Sequence, residues 1–325
     1  MASDQQQIEP WLRRVPVAQF AITMGLAGLG HAWSVAAYVV GVPPEIGQVL
    51  LLASAIVFAI LTLIYLAKLI RFPASVAAEF GDPMQINLFP TFSISLLLLA
   101  VAALPYSRTL ATILWGIGAG LHLLLAICII NLWITRNVDI THTSPAWFIP
   151  VVGNIVVPQA GVPLGFIELS WFFFAIGILF WLVLFTIVLY RIIFHDQLPV
   201  RFLPTLFILL APPALGFTAY RYLTQQGTEF APLDGISRLL IGMAFFICLL
   251  LVSMAGLFRR VPFSLAWWAY TFPSAAMAVA ALLYHQALGS DWSAAIAAVV
   301  LAAATLIILG VAVRTVRATL GGRLF

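Results

Sequence analysis

The chain has 325 residues, of which 63% are hydrophobic and only 8% charged, with a formal net charge of +4. A soluble domain carries about 25% charged residues, so the composition excludes a water-exposed globular protein and assigns most of the chain to a bilayer. The first 15 residues are polar, and the apolar run that follows is long and succeeded by others, so no cleavable signal peptide is expected.

Crossing the hydrocarbon core takes about 20 apolar residues. Ten segments qualify or come close: 16–40, 46–70, 88–104, 109–136, 145–163, 166–195, 201–220, 236–258, 265–288 and 291–317. The third and fifth are the weakest by length, and are retained because losing either would break the charge pattern below. The expected organisation is one polytopic membrane domain over 1–325, with tails at 1–15 and 318–325 around a ten-helix region at 16–317.

Taken in chain order, the spans alternate in kind. The first opens at Pro16 in RRVPVAQF, and the third at Pro90 in NLFPTFSI. The fifth carries Pro150 in AWFIPVVG together with Pro145, Pro158 and Pro163. The seventh carries Pro204 in VRFLPTLF and then Pro212 and Pro213, and the ninth carries Pro273 in YTFPSAAM. In the last four settings a phenylalanine precedes the marker proline by one or two residues. None of the 19 prolines lies in an even-numbered span. Proline in a first turn costs little, whereas a deeper one, such as Pro158, Pro212, Pro213 or Pro273, kinks the helix. Carbonyls freed in this way are tolerated at membrane depth only where protein or a water-filled cavity meets them. The odd spans should therefore face inward and the even spans outward. Short links join spans 1–2, 3–4, 5–6 and 9–10, and a longer one, about 221–235, joins 7–8. Five helical hairpins in a quasi-fivefold ring around a central pore are expected.

Charge gives the orientation. Arg13, Arg14, Lys68, Arg71, Arg136, Arg191, Arg201, Arg259, Arg260, Arg314, Arg317 and Arg323 fall on one side, and Arg108, Arg221 and Arg238 on the other. Acidic residues divide almost evenly. Basic residues concentrate on the cytoplasmic side of membrane proteins, so both termini are expected in the cytoplasm, with the chain in the cell (inner) membrane. Cys128 and Cys248 fall inside apolar spans and read as small core residues.

Pro273 lies deepest of the marker prolines, about 12 Å into its span at 1.5 Å per residue, close to a midplane at about 15 Å. Phe272 beside it could close a narrow path by filling it and excluding water. No acidic or basic residue falls clearly in the central half of any span. That argues against tight ion coupling and for passive conduction past weak dipoles. Thr23, Ser93, Asn154 and Thr218 are candidate lining groups, within a polar inventory that also holds Gln19, Ser95, Gln159, His31 and His285. His122 and Asn131, on an even span, are assigned to interhelical hydrogen bonding. The run from Thr141 to Pro145 reads as a helix cap. No nucleotide-binding, GxSxG or HExxH motif is present, and no enzyme, cofactor or metal is expected.

HTSPAWFIPVVGN (142–154) resembles the start of the fifth helix of the tellurite-resistance/C4-dicarboxylate transporter family. That family includes bacterial TehA-type proteins, fungal malate and sulfite transporters and plant guard-cell slow anion channels. RRVPFSLAWWAYTFP (259–273) is similar to its ninth-helix motif, and PVAQFAITMGLAGLGHAW (16–33) to its first helix. The resemblance covers essentially the whole chain. It implies ten helices in five hairpins around a pore, a homotrimer in which each subunit conducts, and Phe272 as the occluding aromatic. One departure concerns regulation: the plant channels carry long cytoplasmic tails for phosphorylation, whereas the tails read here are short, so kinase control by that route is not expected. The function expected is a passive anion channel or uniporter with Pro16, Pro90, Pro150, Pro158, Pro204, Pro212 and Pro273 shaping its path. The alternative is a proton-coupled carrier for C4-dicarboxylate, sulfite or tellurite-related anions. Partners are small inorganic or organic anions and the bilayer, not nucleic acid.

Overall fold

The computed structural model describes residues 11–225 and 231–322. Arg323 of the charge tally and the acidic residues Asp4, Glu9 and Glu229 lie outside the described residues, as do residues 1–10 of the first tail, 323–325 of the second and the middle of the 221–235 link. Among the described residues all regular structure is helical. We label the main helices α1 (Val17–Val40), α2 (Glu45–Arg71), α3 (Gln85–Ala103), α4 (Arg108–Thr135), α5 (145–161), α6 (Ile167–Phe194), α7 (Val200–Leu223), α8 (Gly235–Ser253), α9 (Leu265–Leu288) and α10 (Asp291–Leu320). Nine of them are long and apolar enough to cross a membrane. The exception is α5, a succession of four-residue pieces, Pro145–Phe148, Ile149–Val152, Gly153–Val156 and Pro158–Gly161, alternately 3-10 and α.

The even helices are uninterrupted and apolar all round. Their ends are finished as isolated helices require: Glu45 begins α2 and Lys68 and Arg71 end it, Asp291 begins α10 and Arg317 ends it, each complementing the helix dipole. Ser107 caps α4 by accepting from the Leu110 amide at 3.2 Å. Asp234 caps α8 by accepting from the Ser237 amide at 2.8 Å. The Tyr220 hydroxyl donates to the same carboxylate and, with that amide, holds its pKa below the usual carboxylate value. Gly41 and Gly289 end α1 and α9 in the left-handed conformation that glycine adopts without a Cβ clash, which permits the tight reversals into α2 and α10.

Consecutive helices pack together as α1–α2, α3–α4, α5–α6, α7–α8 and α9–α10. Across these pairs, α1 packs on α3, α3 on α5, α5 on α7, α7 on α9 and α9 on α1. Within the most apolar stretch of each helix, 61–78% of residues are buried in α1, α3, α7 and α9, against 6–33% in α2, α4, α6, α8 and α10. All of α5 except Ile149 is buried. The prolines therefore occupy the enclosed helices.

The structure revises how those prolines act. Each odd helix starts as a 3-10 stretch and turns α-helical at or near its proline. Pro90 and Pro158 open their α-helical segments, and Pro150 and Pro212 lie in the first turn of theirs. Pro273 is the third residue of Thr271–Leu288, Pro16 precedes the first turn of α1, and Pro204 sits inside the 3-10 stretch Val200–Leu210. Pro158, Pro212, Pro213 and Pro273 thus mark junctions between two helix types and do not interrupt an α-helix. Side chains meet the carbonyls near these junctions. Thr271 Oγ1 donates to the Trp268 carbonyl and Ser274 Oγ to that of Tyr270, both at 2.7 Å. Thr205 Oγ1 reaches the Phe202 carbonyl at 2.6 Å, and Asn154 Nδ2 that of Val151 at 2.8 Å. This is the local repair that a bilayer demands.

Two further expectations change. Cys128 is exposed on the outward face of α4 and so is not a core residue, whereas Cys248 is half-buried and packs against the core; both are free. A small apolar thiol is accommodated on a helix face turned away from the protein. Asn131 is likewise exposed. The expected interhelical contact of His122 is present, with Nδ1 2.9 Å from Ser93 Oγ.

Candidate functional site

The odd helices enclose a cavity of about 450 Å³ that opens at their N-terminal ends. All five contribute to its wall and no even helix does. Polar groups gather at the mouth. Asp82 accepts from the amides of Met84 and Gln85 at 2.9 and 2.8 Å, which fixes the chain just before α3. Arg201, whose guanidinium lies 4.7 Å from the Phe202 ring centre, is the one cation among the lining residues. Further in, Met24, Ile94, Phe148, Val152 and Leu215 make the wall apolar, and Phe272 and Pro273 end it.

A second, much smaller cavity of about 10 Å³ lies further along the same five helices. Its wall includes Gly28, His31, Leu98, Gln159 and Thr218. Phe272 and Leu215 are the two residues that border both spaces. Behind the ring, α1 comes very close to α9. A Cβ on Gly28 would lie 3.2 Å from Phe272 Cδ2 and 3.0 Å from Ala275 Cβ, and one on Gly25 would lie 2.3 Å from Thr271 Oγ1. Small residues at such crossings let membrane helices approach, and here they leave room for the ring.

The remaining expected site residues divide sharply. Of the prolines expected to shape the path, Pro273 borders the large cavity; Pro16, Pro90, Pro150, Pro158, Pro204 and Pro212 border neither space. Their preceding phenylalanines do more, since Phe148, Phe202 and Phe272 all line the large cavity. Thr218 borders the small cavity while its hydroxyl donates to the Ala214 carbonyl at 3.1 Å. Thr23, Ser93 and Asn154 border neither. Ser93 Oγ donates to the Pro90 carbonyl and meets His122, Asn154 bonds its own helix, and Thr23 lies buried where its carbonyl accepts from Ser54 Oγ at 3.2 Å. Gly28, Leu215 and Arg201 were not singled out for the site by sequence. The MGLAGLG run in α1 was the one signal for the first of them. The run before Pro145 provides no side-chain cap for α5, because Ser144 occupies the cap position without a side-chain hydrogen bond; Asp139 instead caps the 3-10 turn Ile140–His142 by accepting from the Thr141 amide and hydroxyl at 2.8 Å. No cluster able to hold a metal ion occurs among the described residues.

A buried ion pair lies away from both cavities. Lys68, fully buried at the end of α2, pairs with Glu79 of the short helix Pro73–Gly81 and donates to the Val15 carbonyl at 2.7 Å. Tyr65 donates to the same carboxylate at 2.8 Å.

Known proteins match this sequence over most of the chain. The family described as SLAC1, voltage-dependent anion channel, matches residues 14–316. The S-type anion channel SLAH3 of Arabidopsis thaliana is 30% identical over 94% of this chain and 49% of its own length. The S-type anion channel SLAH2 of the same plant is 31% identical over 93% and 59% respectively. The tellurite resistance protein TehA homolog of Haemophilus influenzae is 24% identical over 84% of this chain and 82% of its own. This chain thus spans about half the length of the plant channels and most of the bacterial protein. The chain belongs to the SLAC1/TehA family of membrane anion channels and transporters.

Proposed function

We propose that this protein is a passive anion channel or uniporter whose path runs along the axis of the odd helices and is closed by Phe272. One observation carries the reading: Phe272 stands between a wide cavity that opens at one end and a small space beyond it. The order of contacts, α1 to α3 to α5 to α7 to α9 and back to α1, supports ten helices in a five-hairpin ring with α5 as the tenth crossing. The absence of charge from the deep walls, among the described residues, fits a substrate that must leave as readily as it arrives. Arg201 at the mouth, on the side rich in basic residues, would raise the local anion concentration. Basic-residue bias supports a reading with that mouth and both termini in the cytoplasm, and the proposed location is the cell (inner) membrane. Family resemblance points to a homotrimer with one path per subunit.

Purified protein in liposomes should carry anions down a gradient, and Phe272→Ala should raise that flux severalfold. A folded Phe272→Ala protein with unchanged or lower flux would remove the gate. The second reading, a proton-coupled carrier for dicarboxylate, sulfite or tellurite-related anions, draws support from His31, a titratable side chain bordering the space beside Phe272. It requires uptake driven by a pH gradient; uptake indifferent to that gradient excludes it.

A further inference from the structure

The geometry points to a single-anion station made by Gln159 and His31 on the side of Phe272 away from the large cavity, selective for small monovalent anions of halide size. It rests on the conduction reading above and specifies the substrate class. Three observations lead to it. First, polarity is distributed unequally about the ring. The deep wall of the large cavity offers Met24, Ile94, Phe148, Val152 and Leu215, whereas the space beyond holds Gln159, His31 and Thr218 within a wall of nine residues. Second, the donors there are unused. His31 Nε2 is buried without a partner. Gln159 is 2% exposed, and its amide forms no hydrogen bond among the described residues. Thr218 commits its proton to the Ala214 carbonyl and so presents only an acceptor oxygen. A buried polar group left unpaired costs the full desolvation penalty, and an amide N–H pair and an imidazole N–H are ligands for an anion. Third, the space is small and carries no fixed counter-charge. At about 10 Å³ it has room for about one water with the ring in place. Withdrawing the ring, which forms part of the wall, makes room for one halide. A dicarboxylate would bring two charges to a site whose nearest lining cation is Arg201, at the far mouth. Hydrogen-bond donors can stabilise one partly dehydrated charge here; two would be left without compensation.

Crystals of Phe272→Ala grown or soaked in bromide test the site directly. Anomalous scattering should place one bromide beside Gln159 and His31, and Phe272→Ala/Gln159→Leu should lose it. In liposomes, adding Gln159→Leu or His31→Leu to Phe272→Ala should raise the half-saturating chloride concentration about tenfold, the effect of one lost charge-assisted hydrogen bond. His31→Gln, which keeps a donor, should restore affinity. Phe272→Ala should carry chloride and nitrate in clear preference to malate. An empty pocket in bromide, a half-saturation within about twofold of the parent in both leucine variants, or malate carried as well as chloride would each overturn the assignment. If Phe272→Ala shows no flux at all, the conduction reading fails, while the bromide density still decides the station.

Discussion

Helices α6 and α7 pack against each other and follow opposite rules. The first is an unbroken α-helix of 28 residues without proline, and it turns Leu179, Leu182 and Val183 outward. Its neighbour has 24 residues, eleven of them in 3-10 geometry, with Pro204, Pro212 and Pro213 along its length and nearly every side chain of its second half buried. The difference lies in what surrounds each backbone. Lipid offers no hydrogen bond, so an outer helix must satisfy every amide and carbonyl internally. An enclosed helix can leave some unmatched and have hydroxyls, amides or neighbouring helices meet them. Irregular backbone, and with it a shaped cavity, is available only to the inner set.

Five substitutions would break or sharpen this contrast. The largest effect is expected from Leu179→Pro, which puts a proline in the exposed middle of α6; a loss of about 3 kcal/mol or more should leave no monodisperse protein on size exclusion. Pro212→Ala in α7 should cost under about 1 kcal/mol because its position is a first turn, and comparable destabilisation by both would refute the distinction. Gly25→Ala should lower thermal stability by about 1–3 kcal/mol through overpacking against Thr271. An unchanged melting temperature would mean that α1 and α9 separate easily. Arg201→Gln should reduce anion flux about threefold at low ionic strength and much less at 0.5 M salt, since exposed charges are screened. A salt-independent loss would point to a structural role. Leu182→Val on the outer face should change stability by less than about 0.5 kcal/mol.

Membrane residence and the division between enclosed and outer helices could be read in the sequence because each rests on one strong constraint. Charge scarcity forces burial in lipid, and proline forces cover by protein. The same markers drew attention to Phe272 through the depth of Pro273, but the two spaces it borders are visible only in the structure. The facing of individual polar residues did not. Thr23, Ser93 and Asn154 sit on helices that are apolar on every side, so no amphipathic period indicates which way a side chain turns, and short-range bonds to nearby carbonyls claim Ser93 and Asn154. The junction role of the prolines was hidden for a related reason. Hydropathy marks where a span enters the bilayer, whereas the start of an α-helix is set by hydrogen bonds that Pro158, Pro212 and Pro273 cannot make. Gly28 and Leu215 carry no chemistry of their own, and only proximity to the ring distinguishes them.

The alternating pieces of α5 bear on length. A 3-10 residue advances about 2.0 Å along the axis and an α-helical one about 1.5 Å. Eight residues of the segment, Pro145–Phe148 and Gly153–Val156, have the more extended geometry. Residues 145–161 therefore reach about 29 Å end to end, where a continuous α-helix of the same residues would stop near 25 Å. The hydrocarbon core is about 30 Å thick. The segment that hydropathy ranks among the weakest is lengthened by its own hydrogen-bonding pattern, with its eight 3-10 residues each advancing further than a residue of the outer helices.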